Sequence, residues 1–433
     1  MNIQTAHSNR PSAREAAGEL KAGLQALVPK MVLFFSSSTY PPEDVAGEMT
    51  AAFPGAAVFG CTTAGEIISG QMLKNSIVAM AFNAGVIKDV QVEVLAHVHG
   101  QAAAGVPRVF ADFKKHYGTA MGEADPHQYF GIILVDGLSG AEEALMEKLG
   151  ELTDVTFIGA SAGDDLKFQR TYVFANGRAY TNAALLVLVK AASGFDFIKT
   201  QSFRALDKTL IPTKVNAERR EVLEFDHRPA AVAYAEAVGT TVDKLPDTFM
   251  SNPVGLMAGD EPYVRSPQRV EGDSVFFYCA VDENAKLQVL APRNIVEDTR
   301  TALSEELSHV KHIQGIVNFH CILRTLELEK KNEMKAYGQL FTDMPPSASA
   351  RMVKNTSGTS IRRRPCWSSP RCSCLPAASE ILEASSVSRA SPERPPLSRT
   401  ARSCRARAGT GWRPRAAAPR SRRSNARACH RSR

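Results

Sequence analysis

Cysteine is scarce where this sequence reads as folded protein. Only Cys61, Cys279 and Cys321 of its eight cysteines precede residue 347. That excludes a disulfide framework and suits a reducing compartment. Long apolar runs are missing too, and none approaches the roughly 18 consecutive residues of a membrane span. The opening Met1-Asn2-Ile3-Gln4 has neither a basic nor an apolar leader region. The expectation is a cytoplasmic protein with no membrane attachment. No C-x-x-C pair, Walker loop or H-E-x-x-H occurs, so metal and nucleotide chemistry lack their usual sequence support. Excess positive charge is also missing from the body. Residues 1–346 carry 32 Lys+Arg against 42 Asp+Glu, whereas 347–433 carry 20 against 3. An acidic body has no evident affinity for nucleic acid or anionic membrane.

What is present is an α/β pattern that repeats. The 433 residues suffice for two or three domains. Ser12 is placed to cap a helix over residues 13–27, and Pro29 ends it. A buried strand follows at 31–35, then a helix opened by Pro41-Pro42-Glu43-Asp44. A short strand at 57–59 delivers the loop Gly60-Cys61-Thr62-Thr63-Ala64-Gly65-Glu66. Strands at 76–82 and 90–97 and a helix near 106–117 complete the stretch. The pattern then restarts with a strand at 129–135, a helix at 140–152 and a strand at 156–158. That last strand delivers Gly159-Ala160-Ser161-Ala162-Gly163-Asp164-Asp165, and Asn176-Gly177 marks a hairpin turn. Gly60 and Gly159 are 99 residues apart. The fold class expected is α/β, with duplicated strand–helix–strand–loop–strand units forming mixed sheets and an α+β C-terminal domain following. The expected divisions are an N-terminal helix (1–30), a first domain (31–220), a second (221–346) and a tail (347–433).

The tail is Arg, Ser, Ala and Pro with almost no apolar periodicity, so it is expected to be disordered. Three readings are open. One is a basic nucleic-acid-binding tail, and the second is a metal cluster of Cys366, Cys372 and Cys374. The third is translation out of frame after Met344. Shifting the codons by one base lets 348–363 read Gly-Phe-Ser-Thr-Tyr-Gly-Glu-Glu-Tyr-Ile-Gly-His-Ile-Asn-Gln-Thr. That is a third small-residue loop where the repeat requires one. The letters favour this frameshift, and nucleic acid is not an expected partner.

At this point a resemblance is specific. Phe59–Glu66, Gly159–Asp165 and Thr171-Tyr-Val-Phe-Ala-Asn-Gly177 resemble the FIST N domain. Arg219–Gly239, Pro253-Val-Gly-Leu-Met257, Tyr263-Val-Arg-Ser-Pro267 and Phe319-His-Cys-Ile-Leu-Arg324 resemble the FIST C domain. The resemblance implies a non-enzymatic sensory protein of bacterial signal transduction. It implies a small, amino acid-like ligand and a separate histidine kinase or cyclic-dinucleotide enzyme as partner. Some free-standing members are similar to haem proteins that sense nitric oxide, so haem is a cofactor to consider. The family's closing Tyr-Gly-Glu…Gly-His-Ile-Asn-Gln-Thr motif is replaced here by Met352–Arg363.

The candidate ligand-binding residues are Cys61, Thr62, Thr63, Gly65 and Glu66 of the first loop and Ser161, Gly163, Asp164 and Asp165 of the second. Thr and Ser hydroxyls donate and accept, and the acids suit a ligand amine. Arg265 and Arg324 suit a carboxylate, because the guanidinium fork matches its two oxygens. Residues 159–163 also fit G-x-S-x-G, which raises a serine hydrolase using Ser161, although that elbow needs a helix directly after it. A haem would require a histidine ligand. His320, on an apolar strand, is the weak candidate.

Overall fold

The computed structural model describes residues 1–309 and 313–342 in full, and 352–354 and 381–383 as backbone strands. The chain begins with β1 (Ile3–Ser8), α1 (Ala13–Leu24), β2 (Met31–Ser37), α2 (Pro42–Ala52) and β3 (Ala57–Thr63). A small hairpin of β4 (Glu66–Ile68) and β5 (Gln71–Leu73) precedes β6 (Ile77–Phe82). The second copy runs β7 (Ile87–Ala96), α3 (Ala102–Tyr117), β8 (Tyr129–Val135), α4 (Glu142–Leu152) and β9 (Phe157–Ser161). Its hairpin is β10 (Val173–Ala175) and β11 (Arg178–Tyr180), and β12 (Ala183–Ala191) closes it.

The duplication is explicit in the strand orders. One sheet runs β1-β6-β2-β3-β10-β11 and the other β7-β12-β8-β9. In each, a parallel βαβ pair (β2 with β3, β8 with β9) is flanked by an antiparallel strand. The β10–β11 hairpin of the second copy pairs with β3 of the first. The repeat therefore starts at β1, and the N-terminal helix belongs inside the first copy rather than standing apart. Residues 3–8, polar for the most part, form an edge strand whose Ile3 enters the core.

Alternation explains the layers. In β2, Met31, Leu33 and Phe35 join Ile132, Leu134 and Leu185 of the second sheet in one apolar core. Val32 and Phe34 face α1 and α2, where Leu20, Leu24, Val45 and Met49 wait. Ile133, Val135 and Leu186 likewise face α3 and α4 through Val106, Phe113, Leu145 and Leu149. Period-2 strands buried on both faces are continuous apolar runs, as these are. The result is two sheets back to back with helices outside. Local signals agree. Ser12 caps α1 by accepting the Glu15 amide at 3.2 Å, and its hydroxyl donates to the Glu15 carboxylate at 3.0 Å. Asn176 and Gly177 both have positive φ, as the tight turn between β10 and β11 requires.

The chain continues through β13 (Phe197–Lys199), β14 (Phe203–Leu210), β15 (Pro212–Asn216), β16 (Glu221–Phe225) and β17 (Arg228–Pro229). Next come α5 (Ala230–Val238), α6 (Leu245–Thr248), β18 (Val254–Ala258), β19 (Glu261–Arg265), β20 (Pro267–Glu271), β21 (Ser274–Phe277) and β22 (Leu287–Pro292). From β14 onward these form two sheets, β14-β22-β18-β19 and β15-β16-β21-β20, around a core including Phe225, Tyr234 and Val254. Sequence patterning gives one extended segment at 264–269. The structure breaks it at Ser266, sending β19 and β20 to different sheets. Residues 249–253, read as extended, instead connect α6 to β18. β14 and β15 escape a periodicity reading because one face carries exposed Arg204, Asp207, Lys208 and Lys214.

Last come α7 (Ile295–His309), β23 (Ile316–Phe319), α8 (Ile322–Lys330) and α9 (Met334–Thr342), with β24 (Met352–Lys354) and β25 (Ile381–Glu383). β24 pairs parallel and β25 antiparallel with β23, the pairing seen around β2 and β8. The remainder of the tail, with its cysteine cluster and the reconstructed loop, lies outside the fully described residues.

Candidate functional site

The two parallel strand pairs end at the same place. Their register sets Ser36 beside Thr62, Ser37 beside Thr63 and Val135 beside Ser161. Sequence patterning ends the delivering strands at Phe59 and Ile158, but both continue through the first glycine. The glycines are there for close packing. A Cβ on Gly60 would sit 1.9 Å from the Phe34 carbonyl oxygen, and one on Gly159 would sit 1.7 Å from that of Ile133. Beyond the strands the copies join directly, since the Gly163 amide donates to the Thr62 carbonyl at 2.9 Å. Ala64, Gly137, Ala162, Gly163 and Thr171 line a cleft there. Tyr278 and Ile322, from the C-terminal half, also line it. Crevices outside the carboxyl ends of parallel strands are where α/β proteins hold ligands.

The rim of this cleft is apolar and exposed. Leu138, Leu166 and Phe168 line it with 43%, 40% and 48% of their surfaces in water. Asp165, Leu166 and Phe168 have φ of 56°, 62° and 51°, left-handed values that side chains rarely adopt. Asp164 holds the segment in this form. Its carboxylate accepts the amides of Phe168 at 2.9 Å, Gln169 at 2.6 Å and Arg170 at 3.1 Å. Asp136, at the end of β8, accepts the Thr171 hydroxyl and the amides of Leu138 and Asn182. Sequence reasoning missed Asp136, Leu138, Leu166, Phe168, Tyr278 and Ile322. Leu and Phe in a loop carry no sequence signal of exposure.

The residues chosen from sequence are placed unequally. Gly163 and Asp164 line the cleft. Cys61 packs in the core between the sheets. The Thr62 hydroxyl accepts the Tyr172 amide at 3.0 Å, tying β3 to the second copy. Thr63 and Ser76 each donate to Glu66 at 2.6 Å. Glu66 is 1% exposed. Burial pushes its carboxyl up to about 7, against the pull of the Ser76 and Thr63 hydroxyls and with a further push from Asp165. Gly65, at φ 149°, turns the chain into β4. Asp165 accepts the Ser38 hydroxyl at 2.6 Å and lies 3.6 Å from the Lys167 ammonium. Arg265 is buried and reaches the Tyr263 and Val264 carbonyls at 3.4 Å. Arg324 is buried and lines a second pocket rather than the loop cleft.

Ser161 does not have the setting of a nucleophile. It is fully buried, and its hydroxyl donates to Glu142 at 2.7 Å. A loop rather than a helix follows it, so the hydrolase elbow is absent. Glu142 belongs to a cluster joining the two halves of the chain. The Arg220 guanidinium donates to Glu142 at 2.9 Å, Glu143 at 2.7 Å and the Tyr278 carbonyl at 2.8 Å. Glu143 also accepts the Ala280 amide at 2.9 Å. Burial pushes Glu142 up against the opposing charge of Arg220, and Glu143 adds to the rise. His320 does not fit the haem-ligand expectation. It is fully buried, its ring centre lies 4.9 Å from that of Tyr337, and it lines neither pocket. Burial, and then the charge of Arg324, hold its imidazole well below the usual range.

A duplicated α/β unit that brings paired loops to one small cleft defines a small-molecule-binding protein. The FIST N domain matches residues 30–228 and the FIST C domain 230–348, so the chain belongs to the FIST family. FIST domains are sensory modules of signal transduction that bind small ligands. The chain is also similar to an uncharacterized protein of Methanocaldococcus jannaschii, 24% identical over 193 residues. That match takes in 41% of this chain and 37% of the relative's length. Among the described residues no helix is long and apolar enough to cross a membrane.

Proposed function

We propose that this protein is a cytoplasmic sensor that binds a small metabolite in the loop cleft and relays its state to a separate histidine kinase or cyclic-dinucleotide enzyme. It performs no catalysis of its own. One observation carries the reading. Three large apolar side chains, Leu138, Leu166 and Phe168, stand exposed around one cleft, and two of them, Leu166 and Phe168, stand on left-handed backbone. Exposed apolar surface gathered at a cavity, held in strained conformation, is the signature of a surface kept for a ligand. The relay runs from Ser161 through Glu142 and Arg220 to the carbonyl of Tyr278, which itself lines the cleft.

The haem-based nitric oxide alternative draws its support from the family resemblance alone. We also read 347–433 as out-of-frame translation, which sequencing the gene across the codons for 340–369 tests. For the main reading, the full chain is screened by thermal shift against a metabolite library. Binders stabilise the wild type and lose most of that effect in Phe168→Asp, which puts a charge on the apolar rim. Equal stabilisation of both proteins by every binder would remove the cleft from the account.

A further inference from the structure

Ile322 lines the loop cleft, while its neighbours Cys321, Leu323 and Arg324 line a second pocket. The second pocket is walled mainly by Phe203, Phe249, Met250, Pro253, Val264 and Leu323. Into this apolar setting comes one cation. Arg324 is 6% exposed. Its Nη1 donates to the Ser202 hydroxyl at 3.1 Å and its Nη2 to the Thr299 hydroxyl at 3.3 Å. Its Nε is out of water and has no acceptor among the described residues. Both partners are neutral, and among the described residues no carboxylate lies within 4 Å of the guanidinium. Glu327 lines the same pocket, but Lys331 holds it at 2.5 Å. A buried charge without a counter-charge is costly to maintain. Two hydroxyls fix the plane of this one and leave its Nε edge unused.

We propose that this pocket binds a small monocarboxylate with an apolar body. The carboxylate takes the Nε edge of Arg324 and supplies the missing negative charge, in the side-on geometry that guanidinium and carboxylate share. The body packs on Phe203, Phe249 and Met250. Among the described residues the pocket has a single lining cation, which matches one negative charge better than a phosphate dianion. The turn of α8 brings the site within one residue of the loop cleft, yet the two share no lining residue. The proposal therefore stands or falls apart from the sensory reading of that cleft.

Titration calorimetry of the full chain with phenylacetate tests it, with phenylacetamide as the uncharged match and inorganic phosphate as a second anion. The expected result is saturable phenylacetate binding, weakened about tenfold or more for the amide, with phosphate failing to compete. Arg324→Gln should lose the preference for acid over amide, and Arg324→Lys should keep part of it. Equal binding of acid and amide by the wild type overturns the proposal. So does the absence of saturable phenylacetate binding, or its displacement by equimolar phosphate. The acid–amide comparison on the wild type decides the matter even where a variant fails to fold.

Discussion

Glu66 has a carboxyl group that water barely reaches, held between two hydroxyls. Its folded-state value of about 7 exceeds the ordinary 4.5, so between these limits the folded protein holds a proton that the unfolded chain has released. This contribution to stability is fully present below about pH 4.5 and is lost as pH rises through 7. The gap corresponds to about 3 kcal/mol. Glu66→Gln carries no such titration. Urea unfolding should show the variant gaining on the wild type by up to about 3 kcal/mol between pH 4.5 and pH 8, and a pH-independent difference would contradict this. Asp164 behaves differently, because its role is to collect three backbone amides. Asp164→Ala should cost about 2–3 kcal/mol locally, from hydrogen bonds to a charged acceptor. Hydrogen exchange should then quicken across 165–171 with little change in the sheets. The acids at 66, 164 and 165 were legible as loop residues, because small residues and acids cluster after a strand. Their partners were not legible, since Ser76 and Ser38 reach Glu66 and Asp165 only through tertiary packing, and the turn that brings the Phe168 amide to Asp164 has left-handed backbone on non-glycine residues.

At the scale of elements, the strand glycines carry the strongest expectation. Gly60→Ala and Gly159→Ala each drive a methyl group into the carbonyl of the parallel neighbour. Each should cost at least about 3 kcal/mol, visible in denaturant midpoints. A milder effect on both would mean that the parallel pairs are less close than described. These glycines also show what sequence could reach. The repeated Gly-small-small pattern exposed the duplication, and buried strands such as β2 and β8 announced themselves by continuous apolar runs. Edge strands such as β1 and the half-exposed β14 and β15 did not, because polar residues on a solvent face erase the period-2 signal. The boundary at Ser266 is set by the two sheets competing for one chain, and no local signal marks it.

At the scale of the whole molecule, one guanidinium ties the duplicated half to the C-terminal half. Arg220→Met would leave buried Glu142 beside half-buried Glu143 without their cation. That should destabilise the protein by about 3–5 kcal/mol, the cost of breaking a buried ion pair from one side. Glu142→Gln, which keeps the hydrogen bond from Ser161, should cost less. The order would reverse if the cluster were only a surface pairing.

The central claim is that both copies of the repeat present their loops to one ligand. Hydrogen–deuterium exchange of the full chain, with and without the strongest stabilising compound from the screen, tests it most directly. The account predicts simultaneous protection of residues 62–66 in the first copy and 162–171 in the second, with weaker protection near Tyr278. Protection confined to one copy, or lying wholly outside both loops, would contradict it.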